Sequence, residues 1–155
     1  KEGQGRILAA NDIDWEEQNG WYLDYPATGE RQLKPIEFYD GSNLMTVYSQ
    51  VPAKGSDAQE GVESCESGSV DEERQYLTFM NIMDGKRPSV QIVDANGDGL
   101  YNSDDLAISR IPVSKGSHTS VVNGDKVHDI DVKNNKIVFA RMPEQSLRPS
   151  WRQLK

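Results

Sequence analysis

The sequence predicts a mainly β fold, made of antiparallel hairpins in series that form part of a β-propeller-like domain. Three observations predict it. Short apolar runs recur between Asp-Gly, Asn-Gly and Asn-Asn pairs, which favour the positive φ of tight hairpin turns. Polar and apolar residues alternate within several of those runs. Hydrophobic residues make up 35% of 155 positions, with 13 Gly and 7 Pro, so the core is modest and much of the chain is loop.

Taken in order, Trp21 to Tyr25 is the first run, stopped by Pro26. Gln32 to Tyr39 and Asn43 to Val51 form a second and third, joined at Asp40-Gly41. Ala53 to Arg74 is rich in Gly, Ser, Glu and Asp and reads as a long exposed loop. Tyr76 to Met83 is more continuously apolar, as in a strand buried on both faces, and Asp84-Gly85 separates it from Ser89 to Val93. In Val127 to Val132, His128, Ile130 and Val132 share one face while Asp129 and Asp131 share the other. Asn134-Asn135 separates Lys126 to Val132 from Lys136 to Arg141, and Asn19-Gly20 and Asn123-Gly124 punctuate the entries to two of these runs. About eight strands would supply roughly two four-stranded propeller blades, which do not close a ring. The expected organisation is a lead-in over 1–19 and a single domain over 20–155 that is part of a longer chain.

The balance of 17 basic and 25 acidic residues gives a formal charge of −8. That argues against a general nucleic-acid binder, which needs clustered Lys and Arg, and against docking to anionic lipid. A divalent cation or a basic partner suits it better. No apolar run approaches the ~20 residues of a membrane span. The polar start at Lys1 carries no secretory signal, so the chain reads as a mature product or a piece of a longer protein. The single cysteine, Cys65, has no internal disulfide partner, and the acidic Glu63 and Glu66 beside it disfavour a nucleophilic thiolate.

One motif carries specific chemistry. Asp94 to Asp105 fits the twelve-position EF-hand-like calcium loop. Asp94, Asn96 and Asp98 offer side-chain oxygens at positions 1, 3 and 5, and Gly99 permits the sharp turn at position 6. Leu100 offers its carbonyl at position 7, Asn102 acts directly or through water at 9, and Asp105 closes the sphere at 12. Ca2+ takes six to eight hard oxygens at ~2.3–2.6 Å, and the carboxylates would repel one another without it. Leu106 to Ile108 reads as one helical turn or an extended exit, because Pro112 stops a long helix. Pro88 to Val93 reads as a strand, so a complete helix–loop–helix hand is not expected.

Other polar groups read as structural. Asp129 and Asp131 could form an acid–base pair, but a solvated strand face is the expectation. His118 and His128 lack zinc-ligand spacing. Trp15, Trp21 and Trp151 are expected to fill a core or cover a sheet edge rather than stack on sugars. No catalytic elbow, phosphate loop or zinc-protease motif is present.

Gly20-Trp21-Tyr22-Leu23-Asp24-Tyr25-Pro26-Ala27-Thr28-Gly29-Glu30-Arg31 resembles the signature of bacterial type IV pilus tip proteins, the PilY/PilC-type adhesins with a C-terminal β-propeller. The hairpin over Gln32 to Val51, Cys65, the run Tyr76 to Gly85, the loop Asp94 to Asp105 and the ending Ser150-Trp151-Arg152-Gln153-Leu154 follow in the order found in that family. The family's Gly-Gly-Thr-Ser-Trp stretch is replaced here by Gly68 to Tyr76. The resemblance implies a non-enzymatic, calcium-binding module of a pilus tip adhesin that supports pilus assembly, twitching motility and surface adhesion. It implies an extracellular place at the pilus tip or outer cell surface, reached through the periplasm. Implied partners are minor pilus subunits or other tip proteins and a host or abiotic surface, with no nucleic acid and no membrane insertion. Two alternatives stand beside it: a dockerin-like docking module, expected to be strongly helical, and an accessory domain of an extracellular carbohydrate-active enzyme.

Overall fold

The computed structural model describes residues 11–53 and 73–142. They hold eight strands and no helix: β1 (Arg31–Gln32), β2 (Glu37–Phe38), β3 (Leu44–Val51), β4 (Arg74–Asn81), β5 (Arg110–Val113), β6 (His118–Asn123), β7 (Lys126–Asp131) and β8 (Lys136–Ala140). All pairings are antiparallel, so the mainly β, hairpin-built reading holds at this level. Cys65, Trp151, the 150–154 motif and most of the acidic stretch before Arg74 lie outside the described residues.

The spine is the β3–β4 hairpin, paired without a slip from Leu44↔Asn81 to Val51↔Arg74. β5 lies on the far flank of β4, and β1 and β2 lie end to end along the other flank of β3, giving a five-stranded sheet. β6, β7 and β8 form a separate three-stranded meander. Side chains alternate across the first sheet. Leu44, Tyr48, Leu77, Phe79 and Ile111 face the meander and meet its Val127 and Phe139, with Ile92 between. Phe79 sits edge-on to both Tyr39 and Phe139, with ring centroids 5.2 Å apart in each pair. Met45, Val47 and Met80 point to the opposite side, where Trp21, Leu23 and Tyr25 cover them. Both faces of β4 are therefore covered, as its unbroken apolar run predicts.

Turn chemistry fixes the hairpins. Asp40 (φ 46°) and Gly41 (φ 66°) are the centre of a type I′ turn, closed by the Ser42 N–H on the Tyr39 carbonyl at 3.0 Å. Gly124 (φ 64°) takes the first central position between β6 and β7.

Several local expectations change. Trp21 to Tyr25 is extended but joins no ladder; its alternate residues serve as a lid on the sheet, and the Trp21 indole N–H holds the Ile82 carbonyl at 3.0 Å. The Gln32 to Tyr39 run is broken into β1 and β2 around Pro35, which has no N–H to give a ladder. Ser89 to Val93 is not a strand, although the Ile92 carbonyl accepts from the Ala140 N–H at 3.0 Å. The strand on the other flank of β4 from β3 is β5, where Pro112 is tolerated at a sheet edge. Leu106 to Ile108 is neither a helical turn nor an extended exit: the Ile108 N–H closes a tight turn on the Leu106 carbonyl at 2.7 Å.

The largest correction concerns β7. Asp129 and Asp131 are on the buried face, 2% and 5% exposed, while His128 and Ile130 lie on the half-buried outer face. The expected solvated acidic face does not exist: Tyr48 of β3 with His118 and Ser120 of β6 satisfies Asp129, and Ser114 with the Lys133–Asn135 turn satisfies Asp131.

Candidate metal centre

The loop leaves the core at Ile92 and returns to it at Ser109, whose carbonyl accepts from the Phe79 N–H at 2.7 Å. Between these anchors, carboxylates and amides of the loop organise its own backbone. Asp94 Oδ1 accepts from the Gly97 N–H at 2.6 Å and Oδ2 from the Gly99 N–H at 2.9 Å. Both glycines have φ of +81°, a region costly for a residue with Cβ. The Asn96 side-chain Oδ1 takes the Asp98 N–H at 2.9 Å, and Asp98 Oδ1 takes the Leu100 N–H at 2.7 Å. The Asn102 oxygen takes the Asp104 N–H at 2.7 Å.

Asp105 closes the loop from inside. It is 5% exposed, accepting the Ala95 N–H at 2.8 Å on Oδ1 and the Asn102 N–H at 3.0 Å on Oδ2. The Asn102 and Ala95 amides hold its carboxyl below the usual carboxylate range, against the opposing effect of burial. Of the expected ligands, Asn96 and Asp98 touch directly, with Nδ2 to Oδ2 at 3.1 Å. Asp105 links the two ends of the loop, and Leu100 lies exposed at its turn. Asp94, Asp98 and Asp105 do not converge: among the described residues, no group of three or more His, Cys, Asp or Glu side chains is close enough to hold a metal. Chemically, the loop is a string of hard oxygens, each steered by a backbone N–H. An ionised carboxylate has about four acceptor sites, so those of Asp94, Asp98 and Asp105 keep capacity for a cation.

A second polar centre lies between the sheets. His118 Nδ1 faces Asp129 Oδ2 at 2.6 Å, and Nε2 faces the Ser114 carbonyl at 2.7 Å. Asp129 Oδ1 accepts from the Tyr48 hydroxyl at 2.7 Å and the Ser120 hydroxyl at 3.3 Å. Burial, reinforced by the hydrogen bond to Asp129, pushes the Tyr48 phenol far above its ordinary value. With both ring nitrogens of His118 engaged, neither is left for general-base work, so the cluster ties β3, β6 and β7 together. Asp131 is similarly tied down, by the Ser114 hydroxyl, the Lys133 N–H and the Asn135 N–H and side-chain amide. Its carboxyl lies far below the ordinary range, chiefly through Ser114 and then Asn135.

A third centre explains part of the Gly29-Glu30-Arg31 motif. Glu30, fully buried, pairs with both Arg110 terminal nitrogens at 2.7 and 2.8 Å and accepts from the Ser49 hydroxyl at 2.5 Å. The Arg110 guanidinium also stacks on Tyr76, 3.9 Å from the ring centre. Sequence reasoning missed Tyr48, Asp129 with His118, and Glu30 with Arg110 as interacting sets. The partners lie 81, 11 and 80 positions apart, beyond any local pattern. The β-branched Thr119, Val121 and Val122 ahead of Asn123-Gly124 were a usable signal for the strand itself.

No protein-family model, curated protein or solved structure matches the chain.

Proposed function

We propose that this chain is a calcium-binding, non-enzymatic module of a type IV pilus tip adhesin, part of a β-propeller-like domain. It works at the pilus tip or outer cell surface after passing through the periplasm. Minor pilus subunits or other tip proteins, and a host or abiotic surface, are its partners. The observation that carries the metal reading is the ring drawn by Asp94: one carboxylate gathers the N–H groups of Gly97 and Gly99, while the oxygens at positions 3, 5, 9 and 12 follow at the spacing Ca2+ uses. The cation supplies the inward positive charge that draws Asp94, Asp98 and Asp105 together. The pilus context rests on the Gly20 to Arg31 and Ser150 to Leu154 motifs. The five- and three-stranded sheets supply about two blades' worth of strands, in keeping with a propeller. The dockerin-like alternative needs helices after the loop, and residues 106–142 contain none.

Terbium luminescence sensitised by Tyr101 tests the metal reading. Calcium should compete for the signal, with affinity of about 10⁻⁴–10⁻³ M as in extracellular modules, and Asp94→Ala and Asp98→Ala should abolish it. A parent chain with no calcium-competable signal defeats the proposal.

A further inference from the structure

The two sheets leave a cavity of about 300 Å³ between their inner faces, on the side where, among the described residues, both have an open edge. Lys34, Glu37 and Phe38 line one lip, from the β1–β2 flank; His118, Ser120 and Val122, alternate residues of β6, line the other. Among the described residues, no strand pairs with the outer edge of β6. The strand reads His118-Thr119-Ser120-Val121-Val122-Asn123, with no Lys, Arg, Asp, Glu or Pro to guard it. Open edges are normally guarded by such residues because a bare ladder recruits another strand. Val121 and Val122 are about half exposed, and Phe38 across the mouth is more so. One carbonyl of β6 already accepts from outside its sheet: the Lys34 ammonium donates to His118 O at 3.3 Å.

We propose that β6 is a docking edge for an extended segment of a partner polypeptide, which adds to the meander as a fourth strand. It places one bulky apolar side chain in the cavity against Val122, Phe38 and Phe139, with a Lys or Arg beside it. Charge selects that occupant. Lys34 is engaged by the His118 carbonyl and the Tyr48 ring, 4.4 Å from its centre, and Asp40 by Arg141. Asp129 is 2% exposed and lies behind His118, away from the mouth. Lys34 keeps its positive charge but is half-buried, with its ammonium turned onto neutral partners, so the exposed charge at the lip is the carboxylate of Glu37, on a chain of net −8. A second copy would bring the same −8 and meet repulsion, so the occupant is a different, basic chain. Main-chain hydrogen bonds supply affinity and the cavity supplies selection, as in other strand additions. The site is independent of the calcium loop.

The test uses the 155-residue chain with blocked synthetic pentapeptides: acetyl-Lys-Val-Phe-Val-Lys-amide, a twin with Glu for Lys, and a twin with Pro in place of both Val. The basic peptide should bind, slow amide hydrogen exchange in residues 118–123, and bind about tenfold or more tighter than either twin. Val122→Lys, at an exposed edge position, should weaken it by at least about tenfold, and Glu37→Lys should abolish the preference over the Glu twin. Unchanged exchange in β6, or equal binding to the parent and Val122→Lys, overturns the proposal. So does a dimer of the chain in sedimentation that Val122→Lys dissolves, because the edge would then belong to a second copy.

Discussion

Glu30 and Arg110 show how much one buried pair can decide. Neither side chain reaches solvent appreciably, so each charge depends on the other and on the groups around them. Removing one partner strands the other in a low-dielectric site. Glu30→Gln is therefore expected to cost about 3–5 kcal/mol in urea unfolding, whereas the double change Glu30→Leu with Arg110→Met should restore most of that loss. A single variant as stable as the parent would mean the pair is solvated in practice. The motif around Gly29 and Glu30 was visible in the sequence, but its job was not, because the guanidinium it meets lies in β5. The same holds for Gly85: its φ of +66° suits the expected turn, yet its position hard against the Trp21 ring, 2.7 Å from a hypothetical Cβ, is a tertiary fact.

At the scale of elements, turns were legible and facing was not. Asp40-Gly41 announces itself because its backbone demand is met within four residues. Alternation in β7 revealed which side chains travel together, but not which set turns inward. Polarity alone favoured the wrong answer, because Asp129 and Asp131 find hydroxyl, amide and imidazole partners inside. This has a measurable consequence in acid. The folded Asp131 carboxyl is held well below its unfolded value of ~3.9 by Ser114 and Asn135. Its stabilising contribution is thus complete above that value and fades as pH falls below it, where the unfolded chain takes up the proton first. Urea midpoints should fall across that acid range, and Asp131→Asn should flatten that part of the profile while lowering stability near neutrality. An unaltered acid limb in the variant would contradict the assignment.

For the whole molecule, the mainly β class followed from composition and turn spacing, but the division into two sheets did not. It depends on β5 crossing to β4 and on which residues meet across the gap. Two tyrosines make that gap chemically visible. Tyr39 donates to the Ala140 carbonyl at 2.6 Å and Tyr48 to Asp129 at 2.7 Å, so each hydroxyl bridges from the first sheet to the meander. Burial raises both phenols far above the ordinary value, with Asp40 adding for Tyr39 and Asp129 for Tyr48. As pH rises past ~10, only the unfolded chain loses these protons, and stability should drop. Tyrosinate absorbance should therefore show a fraction that ionises together with loss of tertiary circular dichroism. Tyr48→Phe should shrink that fraction; smooth independent titration of all six tyrosines would contradict it.

The carbonyls of Ile92 and Ser109 lend the loop between them a mechanical meaning. One is fastened to β8 and the other to β4, so the loop is a tether between the two halves of the molecule. A pull that parts the halves would run as tension through Asp94 to Asp105. How far that tether stretches before it takes load would then depend on how tightly its carboxylates are gathered.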